Sequence, residues 1–187
     1  MTRIHFAADH GGHRLGRALA KRADASGFDV VWHAAEDPDP GDDYPIYAVR
    51  VGQAVVADQD AGVDAFGVLV LDEAVAGVVA ANKVNGARAA TTTSPRAAMN
   101  ARAVVDANVL VVEGVAYEES AWLNVYAFVT AGMEQTVERG RQILQIEEFE
   151  NAGTIEGWAV QLEPEQILLG GDGWHRPGAV LRDHRSS

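Results

Sequence analysis

A chain of 187 residues, 48% apolar and 22% charged, is long enough to bury an ordinary core and belongs with globular rather than disordered or collagen-like proteins. Its formal charge of −12 opposes binding to phosphate backbones and anionic lipid, so neither nucleic acid nor membrane is an expected partner. The absence of cysteine excludes disulfides, thiolate catalysis and Cys-ligated zinc.

Residues 3–8 form a short apolar run that reads as a strand, followed by Asp9-His10-Gly11-Gly12 and a helix over 13–25 with Leu15, Leu19 and Ala23 on one face. A second strand is predicted over 28–33. A Pro/Asp/Gly-rich loop at 36–41 then leads to Asp43-Tyr44-Pro45 and a helix over 46–57. The β-prone run 66–71 gives a third strand, and after Asp72-Glu73 the small apolar stretch 74–82 suits a buried helix. Two more strands, 87–92 and 108–112, flank an Ala-rich helix over 95–105 that starts behind the capping residue Ser94. Residues 122–148 read as one or two long helices with a break near Gly132.

Strands alternating with helices predict an α/β fold with a five-stranded parallel sheet covered on both faces. Beyond residue 150 glycines and prolines punctuate a tail that contains Trp158 and Trp174. The expected organisation is therefore a core domain over 1–150 and an irregular arm over 151–187 that packs on the core or on a neighbouring subunit. No apolar run reaches bilayer length and no charged-then-apolar leader precedes the first strand, so a cytoplasmic protein is expected.

In an open parallel sheet, ligands bind beyond the carboxyl ends of the strands. That rule gathers Asp9 and His10 after the first strand, Asp72 and Glu73 after the third, residues 91–94 after the fourth and Glu113 after the fifth. Carboxylates crowded together there can form a proton-transfer pair, with Glu73 as the candidate base. The same residues also suit plain structure: Asp72-Glu73 as the cap of the next helix, and Asp9-His10 as a strand-to-helix cap. Gly11-Gly12 lacks a dinucleotide fingerprint, no Walker lysine follows a Gly-rich loop, and His10 with His13 falls short of a ligand set, so neither cofactor nor metal is expected. Arg139 and Arg141 offer either an anion clamp or a solvated ion-pair face.

Taken in order, Ala8-Asp9-His10-Gly11-Gly12, Asp43-Tyr44-Pro45, the stretch from Ala80-Ala81-Asn82-Lys83-Val84 through Gly86 and Arg88, and Asp106-Ala107-Asn108-Val109-Leu110 resemble the type B ribose-5-phosphate isomerases and the A and B subunits of galactose-6-phosphate isomerase. The resemblance spans about residues 1–145. It implies a Rossmann-like three-layer sandwich, a homodimer or tetramer with sites between subunits, and metal-free aldose–ketose isomerisation through an enediolate. It further implies that Asp9, His10 and Tyr44 contact a sugar or sugar phosphate and that Arg141 holds phosphate; Asp72 and Asn82 are further expected substrate-binding positions.

The chain departs from the family where chemistry is done. The family's base is a Cys at the end of the third strand or a Glu a few residues later, and these positions hold Leu71 and Gly77. The small residues of the anion loop become Asp72, Glu73, Ala74, Val75 and Ala76, a His-Asn pair becomes Val104-Val105, and an Arg becomes Val115. Two expectations follow. One is isomerisation of an altered, less anionic substrate with Glu73 as proton shuttle and Asp9 or His10 assisting. The other is an inactive member that binds a metabolite or pairs with an active paralogue.

Overall fold

The computed structural model describes residues 1–155. Its elements run β1 Arg3–Ala8, α1 His13–Ala25, β2 Asp29–Trp32, α2 Tyr44–Asp60, β3 Ala65–Leu71, α3 Ala74–Ala81, β4 Ala89–Thr91, α4 Pro95–Val105, β5 Val109–Glu113, α5 Glu118–Thr130 and α6 Val137–Ala152. The strands form one parallel sheet in the order β2-β1-β3-β5-β4.

Alternation along the buried central strand creates the two cores of a three-layer sandwich. Val68 and Val70 of β3 join Ile4, Phe6, Leu19, Leu110 and Phe128 on one face. Leu69 and Leu71 join Ala7, Tyr47, Val51, Val55 and Val111 on the other. All seven residues of β3 are buried, as a strand covered on both faces must be.

Several element bounds shift by a few residues, β4 shrinking from the expected 87–92 to Ala89–Thr91, and the break near Gly132 is present. Helix α2 begins at Tyr44 because Asp43 is extended and Pro45 sits in the first turn, where its fixed φ suits a helix start. The C-terminal helical stretch is two helices. Ala131 turns extended, and Thr136 restarts the helix by accepting the Arg139 N–H at 3.2 Å. Ser94 caps α4 as predicted, accepting from the Ala97 N–H at 3.3 Å. The expected arm and its tryptophans, Trp158 and Trp174, lie outside the described residues.

The motifs that carry the resemblance mostly brace the N-terminal edge of the sheet. Asn108, fully buried, accepts from Arg88 N at 2.7 Å and donates to Gln59 Oε1 and Gly86 O. Asp106 takes a left-handed backbone at the end of α4, and its carboxylate bridges Arg88 at 2.8 Å and Arg102 at 2.5 Å. Arg102 also stacks over Phe66, 4.6 Å from the ring centre.

Candidate active site

Strand order reverses between β1 and β3, so the crevice of this sheet opens where Asp9-His10 faces Asp72-Glu73. Asp9 is nearly buried, and both its carboxylate oxygens are used: Oδ1 accepts from Gly12 N at 2.8 Å and Oδ2 from Asp72 N at 2.9 Å. The second bond crosses the switch point. Gly12 must be glycine because a Cβ there would lie 2.0 Å from the Val70 carbonyl oxygen. Gly114, just after β5, donates its N–H to Leu71 O at 2.8 Å. The loops after β1, β3 and β5 thus form one connected floor.

Three polar side chains stand on that floor. His10, Asp72 and Glu73 are exposed, and among the described residues none has a side-chain hydrogen bond or ion pair. Glu73 sits at the N-cap of α3 but does not cap it, so its carboxylate remains available to the crevice. The first intrahelical bond there is Gly77 N to Glu73 O at 3.0 Å, which leaves the N–H groups of 74–76 without intrahelical acceptors. Glu113, paired in register with Leu71, is exposed at the end of β5. Tyr44 stands half-buried at the start of α2, against the second core.

The two family base positions exclude each other here. Leu71 is fully buried, and a Cβ on Gly77 would lie 2.3 Å from Leu71 Cδ1 and 3.3 Å from Val111 Cγ1. Leucine therefore occupies the space through which a side chain at 77 would leave the helix.

Two predicted binding residues are not brought to this crevice within the chain. Asn82 follows α3 at the opposite edge, where its amide grips Ala89 of β4 through both N–H and C=O, at 2.7 and 3.1 Å. Arg141 lies on α6, whose anchor points are also at that edge: Glu134 N bonds Ala103 O before the helix, and Glu150 meets Asn85 and Gly86 near its end. Conversely, sequence reasoning missed Tyr47, which is buried one turn after Tyr44 and donates its hydroxyl to Asp42 in the loop before α2. Burial, aided by that bond, pushes the Tyr47 phenol up to about 12. The signal was a second tyrosine three residues on, on the same helix face.

This crevice, on this strand order, belongs to the doubly wound α/β class and carries an acidic, imidazole-bearing switch point. Residues 4–146 match the family model described as Ribose/Galactose Isomerase, and the chain belongs to that family. It is 29% identical over 149 residues to the ribose-5-phosphate isomerase B of Mycobacterium leprae, covering 79% of this chain and 90% of that protein. The structure of ribose-5-phosphate isomerase B from Mycoplasma genitalium with bound ribulose-5-phosphate superposes with a TM-score of 0.74 at 30% identity, covering 81% of this chain and 97% of that one. The type B ribose 5-phosphate isomerase of Trypanosoma cruzi gives 0.74 at 27% identity, covering 82% and 100%. Among the described residues no helix is long and apolar enough to cross a membrane.

Proposed function

We propose that this chain is an aldose–ketose isomerase that moves a carbon-bound proton through an enediolate, with Glu73 as the proton shuttle. The observation that carries the reading is the Glu73 carboxylate, without a partner among the described residues, on the floor pinned by Asp9 at the switch point of an isomerase fold. A base needs an unengaged acceptor on a rigid support; Glu73 makes no cap bond, and the neighbouring Asp72 N–H is held by Asp9. His10, exposed after β1 and without a side-chain partner among the described residues, is the group to protonate the substrate oxygen. Asp9 acts by holding Asp72, since its oxygens already accept two backbone N–H groups.

The substrate as a whole is less anionic than a sugar phosphate. Asp72 and Glu73 place two carboxylates where the family's anion loop has small residues, and like charges repel a dianion at this distance scale. Tyr44 lines the sugar-binding side. The protein works as a homodimer in which α6 and the Arg141 it carries serve the partner's crevice. An open groove of about 690 Å³ along α4, with Met99 and Ala103 on its wall, and exposed Val137, Leu144 and Phe149 on α6 support such pairing. Residues 1–150 form the isomerase domain, with 151–187 as an appended arm, and the compartment is the cytoplasm.

A second reading is a metabolite-binding or partner subunit without turnover, favoured by Leu71 filling the family's base position. Proton–deuterium exchange by NMR, run on ribose 5-phosphate, ribulose 5-phosphate and a panel of free aldoses and ketoses, separates the two. Carbon-bound exchange that disappears in Glu73→Gln establishes the isomerase. Binding without exchange on any member of the panel establishes the second reading.

A further inference from the structure

The face of the sheet beneath α2 changes character across its width. Over β3 it is apolar, with Val51 and Val55 of α2 on Leu69 and Leu71. At the β1–β2 edge it is ionic: Arg3 and His5 come from β1, Asp29 from β2, His33 from just beyond β2, and Arg50 and Asp58 from α2. His5 is the hub and is only 5% exposed. Its Nε2 lies 2.9 Å from Asp58 Oδ2 and its Nδ1 lies 2.8 Å from His33 Nε2. Arg3 holds Asp29 at 2.7 Å and Asp58 at 3.0 Å.

Counting protons shows what this pair can bear. Asp58 accepts, so His5 Nε2 carries a hydrogen, and one further proton is needed between His5 Nδ1 and His33 Nε2. With both rings neutral, His33 Nε2–H donates to His5 Nδ1. With one proton added, His5 Nδ1–H donates to His33 Nε2, and the bond survives. With two added, both facing nitrogens carry hydrogen, the bond is lost, and two cations face each other with ring centres 5.0 Å apart. Asp58 and Asp29 are already committed to Arg3, and Arg50 adds positive charge beside His33.

His33 is also where the chain leaves the sheet. Its N–H donates to Phe6 O at 2.8 Å and its carbonyl accepts from Arg50 at 2.7 Å. From there the loop 34–43 runs to the crevice mouth, delivering Asp42 to Tyr47 and setting the start of α2 at Tyr44. We propose that His5 and His33 are positioning residues, a latch that tolerates one proton and opens on the second, and that this latch holds the 34–43 loop at the crevice.

The electrostatics agree. Burial, His5 and Arg50 hold the His33 imidazole below its ordinary value, with Asp58 opposing them. A histidine depressed in the closed form is neutral in both forms above about 6.5, so the latch is intact there. As pH falls below that value the released form takes up its proton first, and closure weakens.

The test is amide hydrogen exchange on the full chain, corrected for intrinsic rates. Between about pH 8 and about pH 5, exchange across 34–43 should rise roughly tenfold while the sheet amides keep their protection. In His33→Ala, which has no ring nitrogen to meet His5 Nδ1, the loop should exchange at the faster rate at both pH values. Ring nitrogen shifts of the wild type give a second readout that needs no variant: the His5–His33 pair should titrate in two separated steps. Unchanged loop protection across the range, loss of protection throughout the chain together with the loop, or two histidines titrating independently near the ordinary value would each overturn the latch.

Discussion

The two edges of this sheet are built to opposite rules. At the N-terminal edge, Asn82, Arg88, Arg102, Asp106 and Asn108 are locked to each other and to the backbone. At the C-terminal edge, His10, Asp72 and Glu73 stand exposed without side-chain partners among the described residues. The first edge uses polar groups to fix the chain; the second leaves them unengaged. A polar residue within a recognisable motif is therefore no pointer to the site until the end of the strand it stands on is known.

The sharpest way to break that division is to remove Asn108. Truncation to alanine removes the acceptor of Arg88 N and the donor to Gln59 Oε1, and leaves Gly86 O only Arg88 Nη1 at 3.3 Å, which should cost about 3 kcal/mol in denaturant unfolding. Ligand binding by the folded fraction should not change. If Asn108→Ala instead left stability intact and weakened binding, the N-terminal edge would be part of the site.

Next in size is Gly77→Ala, which tests the floor of the crevice. The added methyl meets Leu71 Cδ1 at 2.3 Å, and overpacking of this kind costs about 1 to 3 kcal/mol. In a Leu71→Ala background the same change should cost much less, or even stabilise by filling the space. That double-mutant cycle measures directly whether Leu71 occupies the room of a side chain at 77. Additive effects would separate the two positions.

Asp9→Asn follows. An amide can accept from only one of the two N–H groups that Asp9 serves, and its own N–H₂ must face the other, so unfolding should become easier by about 1 to 2 kcal/mol. The loss should appear locally as faster amide exchange at Asp72 and Gly12. A variant that lost turnover with full protection of those amides would make Asp9 a group that touches substrate rather than a brace.

Much of this was legible in the sequence, and the misses share a cause. The bounds of α1 and α4 follow from apolar spacing and the Ser94 cap, and the strand-end rule placed Asp9, His10, Asp72 and Glu73 at one crevice. Motif membership misled for Asn82, because a residue after a helix that descends from the crevice must lie at the opposite edge. Arg141 likewise stands away from its own crevice, because α6 returns along that edge, and only a second subunit could bring it to one. The His5–His33 bond was invisible because it joins residues 28 positions apart through a strand register that no local pattern encodes. Leu71 against Gly77 was hidden for the same reason: the substitutions were readable singly, but their mutual contact was not.

The smallest expected effect on folding belongs to Glu73→Gln, and its smallness gives the prediction its force. Glu73 is exposed, does not cap α3, and has no ion pair among the described residues, so the change should move stability by less than about 0.5 kcal/mol. Loss of a general base should nevertheless lower turnover by roughly two to four powers of ten. Glu73→Asp, which withdraws the carboxylate by one methylene, should restore part of the rate. Stability unchanged with activity lost is the signature of a group held ready by a scaffold to which it contributes nothing. If Glu73→Gln turned over at the wild-type rate, the base would have to be another group on the same floor, with His10 the first to replace.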